Sequence, residues 1–497
     1  MSNAQTHIIL RQVLHVEAYG SETDGLLLQR KLPLLCDQLL LPALAVIFDR
    51  AAAANEHVVI ERLDVDLGEI SLDRLEAEFA EAIRRVLTSQ IDAKIPATPF
   101  SKGDPSTNVV RKTEAEAVLE SFTYFLETGM LPWWFKLAPG LALEQIVLGI
   151  CRQSVLSHSV SALLKSALLA ALTTANGRQR FLQQFSDEFR VALFNWLAFG
   201  TAETISLLQQ DITSAGLPAE ITAAIGRHLW LAALDFLPGG TELDADRLLA
   251  VSIDALPAAQ RHHPALRVWL ARRWPGHNKL LARLEIAPEP PANAKDCNVN
   301  SEDAAIFLLS AKFGEQPRMT GSQAERQRSQ LANGLYVDCA GLILLHPFLP
   351  GLFETLGVVG DGRIVQAERA LGLLHFLATG QDSAPEYALT LPKFLCNIPL
   401  DTPVAALTAL SGPDQDEATV LLEAVIGHWQ ALRNTSPDGL RGTFLVRPGK
   451  LSLRGDGDYL LSIENQTFDI LLAELPWGIS IVKLPWMDTL LWVEWGY

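Results

Sequence analysis

The residues with the strongest claim to chemistry lie on one short alternating run. In HVVIERLDVDLGEI, residues 57–70, Asp64 and Asp66 fall on one side and Glu69 follows closely. Carboxylates two apart on a strand project together, so this set could gather a divalent cation or activate water in a hydrolase. A second acidic spot, RGDGDY from Arg454 to Tyr459, lies between the alternating runs KLSLR and YLLSIE. Asp and Gly are what a hairpin loop selects, so that turn needs no metal to explain it. His262, His263, His346, His375 and His428 lie apart or beside prolines, the placement of packing and capping residues rather than of ligands. Cys36, Cys151, Cys297, Cys339 and Cys396 are widely separated with no C-x-x-C pair, and read as buried, reduced thiols. No G-x-S-x-G elbow, H-E-x-x-H helix or G-x-x-x-x-G-K-[ST] loop is present, and the run Gly357 to Gly362 lacks the Lys-Ser/Thr that would grip phosphate. We therefore assign no catalytic, metal or cofactor-binding residue and expect no cofactor; a hydrolase built on the acidic strand is the third of three readings.

The elements that would position these residues fall into a series. Residues 1–93 read as strand, helix, strand, helix: HIILRQVLHVEA can pair with HVVIERLDVDLGEI, and DGLLLQRKLPLLCDQLLLPALAVIFDRA between them has helical spacing, with Pro33 and Pro42 at a first turn or a kink. SLDRLEAEFAEAIRRVL follows, with Ser71 as N-cap and Leu72, Leu75, Phe79, Ile83 and Val86 along one face. Residues 94–112 are dense in Pro, Ser, Thr and Gly and read as a linker. Residues 113–286 are amphipathic helices, their short connections favouring an antiparallel or solenoid-like stack without a fixed repeat period. Residues 287–334 read as a second linker and mobile loop, 335–433 as helical, and 434–497 as β-rich, with FDILLAELP either helix or strand. The expected fold class is α+β and mostly α-helical: a small N-terminal α+β domain, a helical middle, and a helical region ending in a β-rich part.

Bulk properties narrow the function. An apolar fraction of 49% with 20% charged residues, over 497 residues, is the composition of a chain that folds into packed domains. A formal charge of −17 disfavours nonspecific binding to nucleic acid or anionic lipid, so partners are expected to be proteins. The start MSNAQTHIILRQVLHVEAYG lacks a basic n-region and cleavage site, and runs such as Leu163 to Leu172 are cut well short of the ~20 residues a span requires. No membrane insertion is expected, and the cytoplasm is the expected place of synthesis.

Several motifs carry a resemblance. The opening HIILRQVLHVEAYG, LLLQRKLPLLCDQLLLPAL and IERLDVDLGEISLDRLEAEFAEAI, then YFLETGMLPWW, LLLHPFLPGLFETLG, RALGLLHFLATG, LPKFLC, HWQALRNTSPDGLRGTFLVRPGKL and the tail DILLAELPWGISIVKLPWMDTLLWVEW occur in this order. Together they resemble the tape measure proteins of phage-tail-like contractile injection systems, over residues 7–93, 113–135 and 335–495. The resemblance implies a non-enzymatic structural and assembly protein that sets the length of inner tube and sheath. It also implies tube, baseplate hub or cap proteins as partners, with assembly in the cytoplasm and retention in the released particle left open. A hub or cap assembly factor of the same particle is the alternative, and a general helical scaffold or adaptor is the reading outside the family. A single helix of this length would reach roughly 750 Å at ~1.5 Å per residue, but 27 prolines and the absence of heptads argue against such a rod. Trp133, Trp134, Trp477, Trp486, Trp492 and Trp495 lie beside prolines or on alternating strands, where rings cover turns in a core or anchor a protein partner. They are the candidate interaction residues. LLWVEWGY could add to a partner's sheet edge, self-association being compatible with this. The two FLxTG sites, Phe125 to Gly129 and Phe376 to Gly380, are read as helix C-termini.

Overall fold

The computed structural model describes residues 7–9, 12–51, 56–94, 109–138, 140–154, 162–197, 201–237, 244–274, 325, 331–332, 334–405, 407, 410–432, 434–455 and 457–495. It divides into two compact units, Met1–Leu119 with Trp134–Lys136, and Glu120–Trp133 with Leu137–Tyr497. Most of residues 94–112 and 287–334, together with Cys297 and Asp456, lie outside the described residues. The fold is α+β and mostly helical.

In the first unit, Ser21 and Asp24 form a capping box that starts a helical run: the Asp24 amide donates to Ser21 Oγ and the Ser21 amide to the Asp24 carboxylate. Helix Glu22–Leu35 continues through a π turn, Cys36–Leu40, into helix Leu41–Ala51. The wide turn, in which the Leu41 amide bonds to the Cys36 carbonyl, makes room for Pro42, whose ring would otherwise press on the carbonyl four residues back. The result is a run of 30 residues, Glu22–Ala51, long and apolar enough by length and composition to cross a membrane. Reading apolar runs as ended by prolines and charges misses it, because the helix carries on through both prolines. Leu28, Leu35, Leu44 and Ile47 on its inner side pack against Leu75, Phe79, Ile83, Leu87 and Ile91 of helix Leu75–Lys94. Ser71 does not cap that helix with its side chain; it precedes a 3-10 turn, Leu72–Arg74, and its amide donates to Glu78.

The strand pairing differs from expectation. Strand β1, Glu56–Ile60, is antiparallel to β2, Val109–Thr113, not to residues 7–18. VVRKT is β-branched and half-buried, and it fills the place beside β1. The described part of 7–18 is not strand, and Val13 is 70% exposed. Residues 61–70 form no strand beyond β1 and turn at Gly68, yet Leu63, Val65, Leu67 and Ile70 face the core, so the alternation survives without a ladder.

In the second unit the helical middle runs from Leu143–Ser154 to Pro264–Arg273. Helix Ala219–Phe236 packs against Thr201–Ser214 and Ala245–Asp254, its sequence neighbours, and also against Ala162–Thr173 and Ala175–Gln184. A solenoid unit touches only adjacent repeats; this is instead a cluster around one buried helix, and Trp230 sits at its centre. The C-terminal part begins with a strand rather than a helix, since β3, Leu335–Val337, joins a five-stranded sheet. After the short hairpin β4, Val359–Gly360, and β5, Arg363–Ile364, the other sheet members are β6, Gly449–Leu453; β7, Tyr459–Ile463; β8, Ile481–Val482; and β9, Leu491–Glu494. The order is β3-β6-β7-β9-β8, and only β7 with β9 is parallel. FDILLAELP forms a 3-10 helix, Thr467–Glu474. Helices Ala367–Thr379 and Gly412–His428 enclose the core with the sheet.

Gly341 marks the tightest approach in this core: a Cβ there would stand 1.7 Å from the Phe444 carbonyl oxygen. Gly341→Ala should therefore cost about 1–3 kcal/mol through forced backbone movement, measured as a lower urea midpoint; an unchanged midpoint would show that the two segments are not in contact.

Candidate functional site

Helix Glu114–Thr128 ends in the motif YFLETGMLPWW, and its last turn lies over the most enclosed charges of the second unit. The Thr128 hydroxyl donates to the Tyr124 carbonyl at 2.7 Å and accepts from the Met130 amide at 3.2 Å. Gly129 has φ +78°, and its amide closes on the Phe125 carbonyl at 2.7 Å. A helix end leaves carbonyls without intrahelical donors. Here Leu126 and Glu127 receive them from Arg180 Nη1, at 2.9 and 3.0 Å. A cation also suits the negative end of the helix dipole.

Arg180 is held from behind by Glu386, with Nε 3.1 Å from each carboxylate oxygen, and its Nη2 donates to the Asp401 carbonyl. Lys393 Nζ donates to Glu386 Oε1 at 2.6 Å, Leu400 O at 3.1 Å and Thr402 O at 2.8 Å. All three charged side chains are buried. One carboxylate thus faces two cations, and five backbone carbonyls absorb the excess positive charge. Burial and the neighbouring Arg180 still depress the Lys393 pKa, although Glu386 opposes the shift. The space is so tight that a Cβ on Gly129 would meet Glu386 Oε1 at 2.2 Å.

The second FLxTG site repeats the construction. Gly380 has φ +72° and its amide bonds to Phe376 O at 2.8 Å; the Thr379 hydroxyl donates to His375 O, and the Gln381 amide donates to Thr379 Oγ1. Arg441 Nε caps the Leu377 carbonyl at 3.2 Å, the position equivalent to Leu126, and its guanidinium lies over the Phe376 ring. Both sites are helix C-termini with a left-handed glycine, as read from the sequence. Arg441 pairs with the exposed Asp438, whereas Arg180 pairs inside.

A second enclosed ion pair closes the C-terminus. Arg447 makes two bonds to Asp469, at 2.7 and 2.9 Å, and Asp469 also accepts from the Trp495 indole at 3.1 Å and the Gln466 amide at 2.8 Å. Burial alone would raise the Asp469 pKa, but these donors outweigh it and hold the carboxyl below its ordinary range.

The six tryptophans do not form one cluster. Trp495 is buried beside that pair. Trp486 is buried with its indole on Leu395 O and its ring stacked on Phe353 at 5.2 Å. Trp477 is half-buried, bonded to Leu344 O and edge-on to Phe348. Trp492 is half-buried on β9, its indole on Asp458 and Arg454 over its ring at 4.4 Å. Trp133 is half-buried at the end of the TGMLPWW turn, and Trp134, in the first unit, lies half-buried under Lys112. The acids of the 57–70 run are engaged locally: Asp64 pairs with Arg62, and Asp66 accepts the Gly68 amide. Among the described residues no group of three His, Cys, Asp or Glu is placed to hold a metal. Burial raises the thiol pKa values of Cys151 and Cys339 to about 12 and pushes Cys396 up as well. Arg180, Glu386, Lys393, Arg447 and Asp469 escape the sequence reading. The one local signal is Lys393, an isolated cation in the apolar run LTLPKFLC.

The enclosed charges hold helix ends and a C-terminal strand in place. The chain matches the family model for contractile injection system tape measure proteins over residues 6–495, nearly its whole length, and it belongs to that family. Comparison with curated proteins and with solved structures gives no match.

Two substitutions test the site. Gly129→Ala places a side chain against Glu386 in a backbone conformation it resists, and should cost about 2–4 kcal/mol by chemical denaturation. Asp469→Asn leaves Arg447 without a countercharge and should cost about 3–5 kcal/mol at neutral pH. Because the native Asp469 pKa is depressed, its contribution is complete above the unfolded value of about 3.9 and is lost as pH falls through the native one. The Asn variant should lack that part of the acid denaturation profile; an identical acid limb would refute the assignment.

Proposed function

We propose that this tape measure protein works as folded bodies rather than as one uninterrupted rod, and that it contacts the tube, the baseplate hub or the cap of the particle. The observation that carries this is the enclosed core in each unit. The longest continuous helical run among the described residues, Glu22–Ala51, covers only about 45 Å at ~1.5 Å per residue. Tube length would then follow from how many folded bodies line up in the lumen, or from how far they separate. Leu28, Leu35, Leu44 and Ile47 support reading one side of Glu22–Ala51 as packing on the first unit's core, without membrane insertion, while Leu26, Leu27, Leu34 and Val46 on the same run stay exposed. The local pairing of Asp64 and Asp66 supports a non-catalytic role.

Trp133, Trp134, Trp477 and Trp492 retain exposed ring area and are the proposed anchors for particle partners; Trp486 and Trp495 have least to offer a partner without unpacking. Large aromatic rings concentrate binding energy at interfaces. Trp492→Ala should lower the melting temperature modestly, through its lost Asp458 bond and Arg454 contact, and, assayed where the variant is fully folded, weaken co-purification with the tube or hub protein by at least about tenfold, the loss expected of a hot-spot residue.

The decisive experiment varies length directly. In-frame lengthening or shortening within residues 140–334, followed by electron microscopy of particles, should shift tube length in the same direction. Particles of unchanged, uniform length after such changes, or after deletion of the gene, would remove the ruler role and leave assembly of the hub or cap as the function.

A further inference from the structure

The helical middle and the C-terminal part of the second unit share almost no apolar core. The large cluster of the C-terminal part takes its buried and half-buried side chains from residues 331–495; among the described residues only Met130 and Tyr124 join it from earlier in the chain. No side chain between 143 and 274 does. Besides a hydrogen bond between the Tyr387 side chain and the Leu143 backbone, what crosses from the middle is a polar stripe on one helix, Ala175–Gln184, with Asn176, Arg180 and Gln184 spaced four residues apart and therefore on one face. Asn176 donates to Asp401 O at 3.3 Å and Arg180 to Glu386 and Asp401 O. Gln184 donates to Val404 O at 2.7 Å and accepts from the Glu386 amide at 3.0 Å. Phe125 and Tyr387 add an edge-to-face ring contact at 5.8 Å. Bodies joined by polar rather than apolar surface are the ones expected to move relative to each other.

We infer that this stripe is a release seam, along which the helical middle undocks as a body from the segment 384–404. The charge arrangement is suited to opening. When Arg180 withdraws, Glu386 keeps its short bond to Lys393, itself fixed by the carbonyls of Leu400 and Thr402, so a neutral pair stays behind and no carboxylate is orphaned. Arg180 leaves with Leu126 and Glu127, which it already caps; Tyr124 on the same helix parts from the edge of the C-terminal cluster, while Met130 stays, and Gly129 provides the backbone freedom between Glu127 and Met130. The Arg447–Asp469 pair has no such arrangement; removing either partner strands the other within one core. The inference does not depend on the ruler reading, because opening is measured on the isolated full chain.

Hydrogen exchange read by mass spectrometry tests it. In the unmodified protein, peptides covering 175–184 and 384–404 should exchange together, and faster than those covering 219–236 and 449–463. Arg180→Met should speed both seam peptides by at least about tenfold and leave the other two unchanged. Lys393→Met, which keeps the Arg180–Glu386 ion pair, should leave 175–184 protected while exposing 386–402. If Arg180→Met fails to fold, the milder pair Asn176→Ala with Gln184→Ala should move the seam peptides in the same direction. Equal acceleration of all peptides, or seam peptides as slow as the cores and unmoved by either variant, would overturn the inference.

Discussion

The ion pair in which Arg180 Nε donates to both carboxylate oxygens of Glu386 is the interaction on which most of the second unit's organisation rests. An enclosed carboxylate is tolerable only with its countercharges in place, and here each countercharge is also an anchor. Arg180 finishes helix Glu114–Thr128 by filling its last carbonyls, and Lys393 gathers the turn through Leu400 and Thr402. The requirement for glycine at position 129 follows from the same crowding. A motif that looks in the sequence like a simple helix stop is thus the lid of a charged pocket.

The same local construction serves two different purposes. At Gly129 the capping arginine comes from the helical middle and bridges to a distant part of the chain. At Gly380 the capping arginine comes from the C-terminal part itself, and its ion pair is exposed. Similar helix ends therefore produce a junction in one place and an interior packing contact in the other; what differs is where the carboxylate lies. Apolar packing is segregated to match, with the aromatic cluster of Phe122, Phe185 and Phe189 on one side and the sheet-backed core on the other.

Much of this was legible from residue patterns. The mixed, mostly helical class, the glycine-ended helices at 129 and 380, the RGDGDY hairpin between β6 and β7, and the family itself all follow from local spacing and motif order. Strand pairing was less accessible. VVRKT sits next to a Pro/Ser/Thr-rich stretch and carries a weak signal, yet it takes the place beside β1 for which HIILRQVLHVEA has the stronger alternation. The ion network was least accessible, because Arg180 and Glu386 are 206 residues apart and nothing in either neighbourhood encodes the other. Long-range electrostatic partners are decided by topology, which period and propensity do not contain.

The position of β9 carries a consequence for biosynthesis. Leu491–Glu494 is not an edge but lies between β7 and β8, and the following Trp495 completes the shell of donors around Asp469. The sheet therefore cannot close while the chain is still being translated through this region. A product cut short by even a few residues before 495 would present an open β7, an unpaired β8 and an under-coordinated carboxylate. Such a chain would expose strand edges and a charge that the closed sheet otherwise covers, so the last strand governs whether the C-terminal core is sealed.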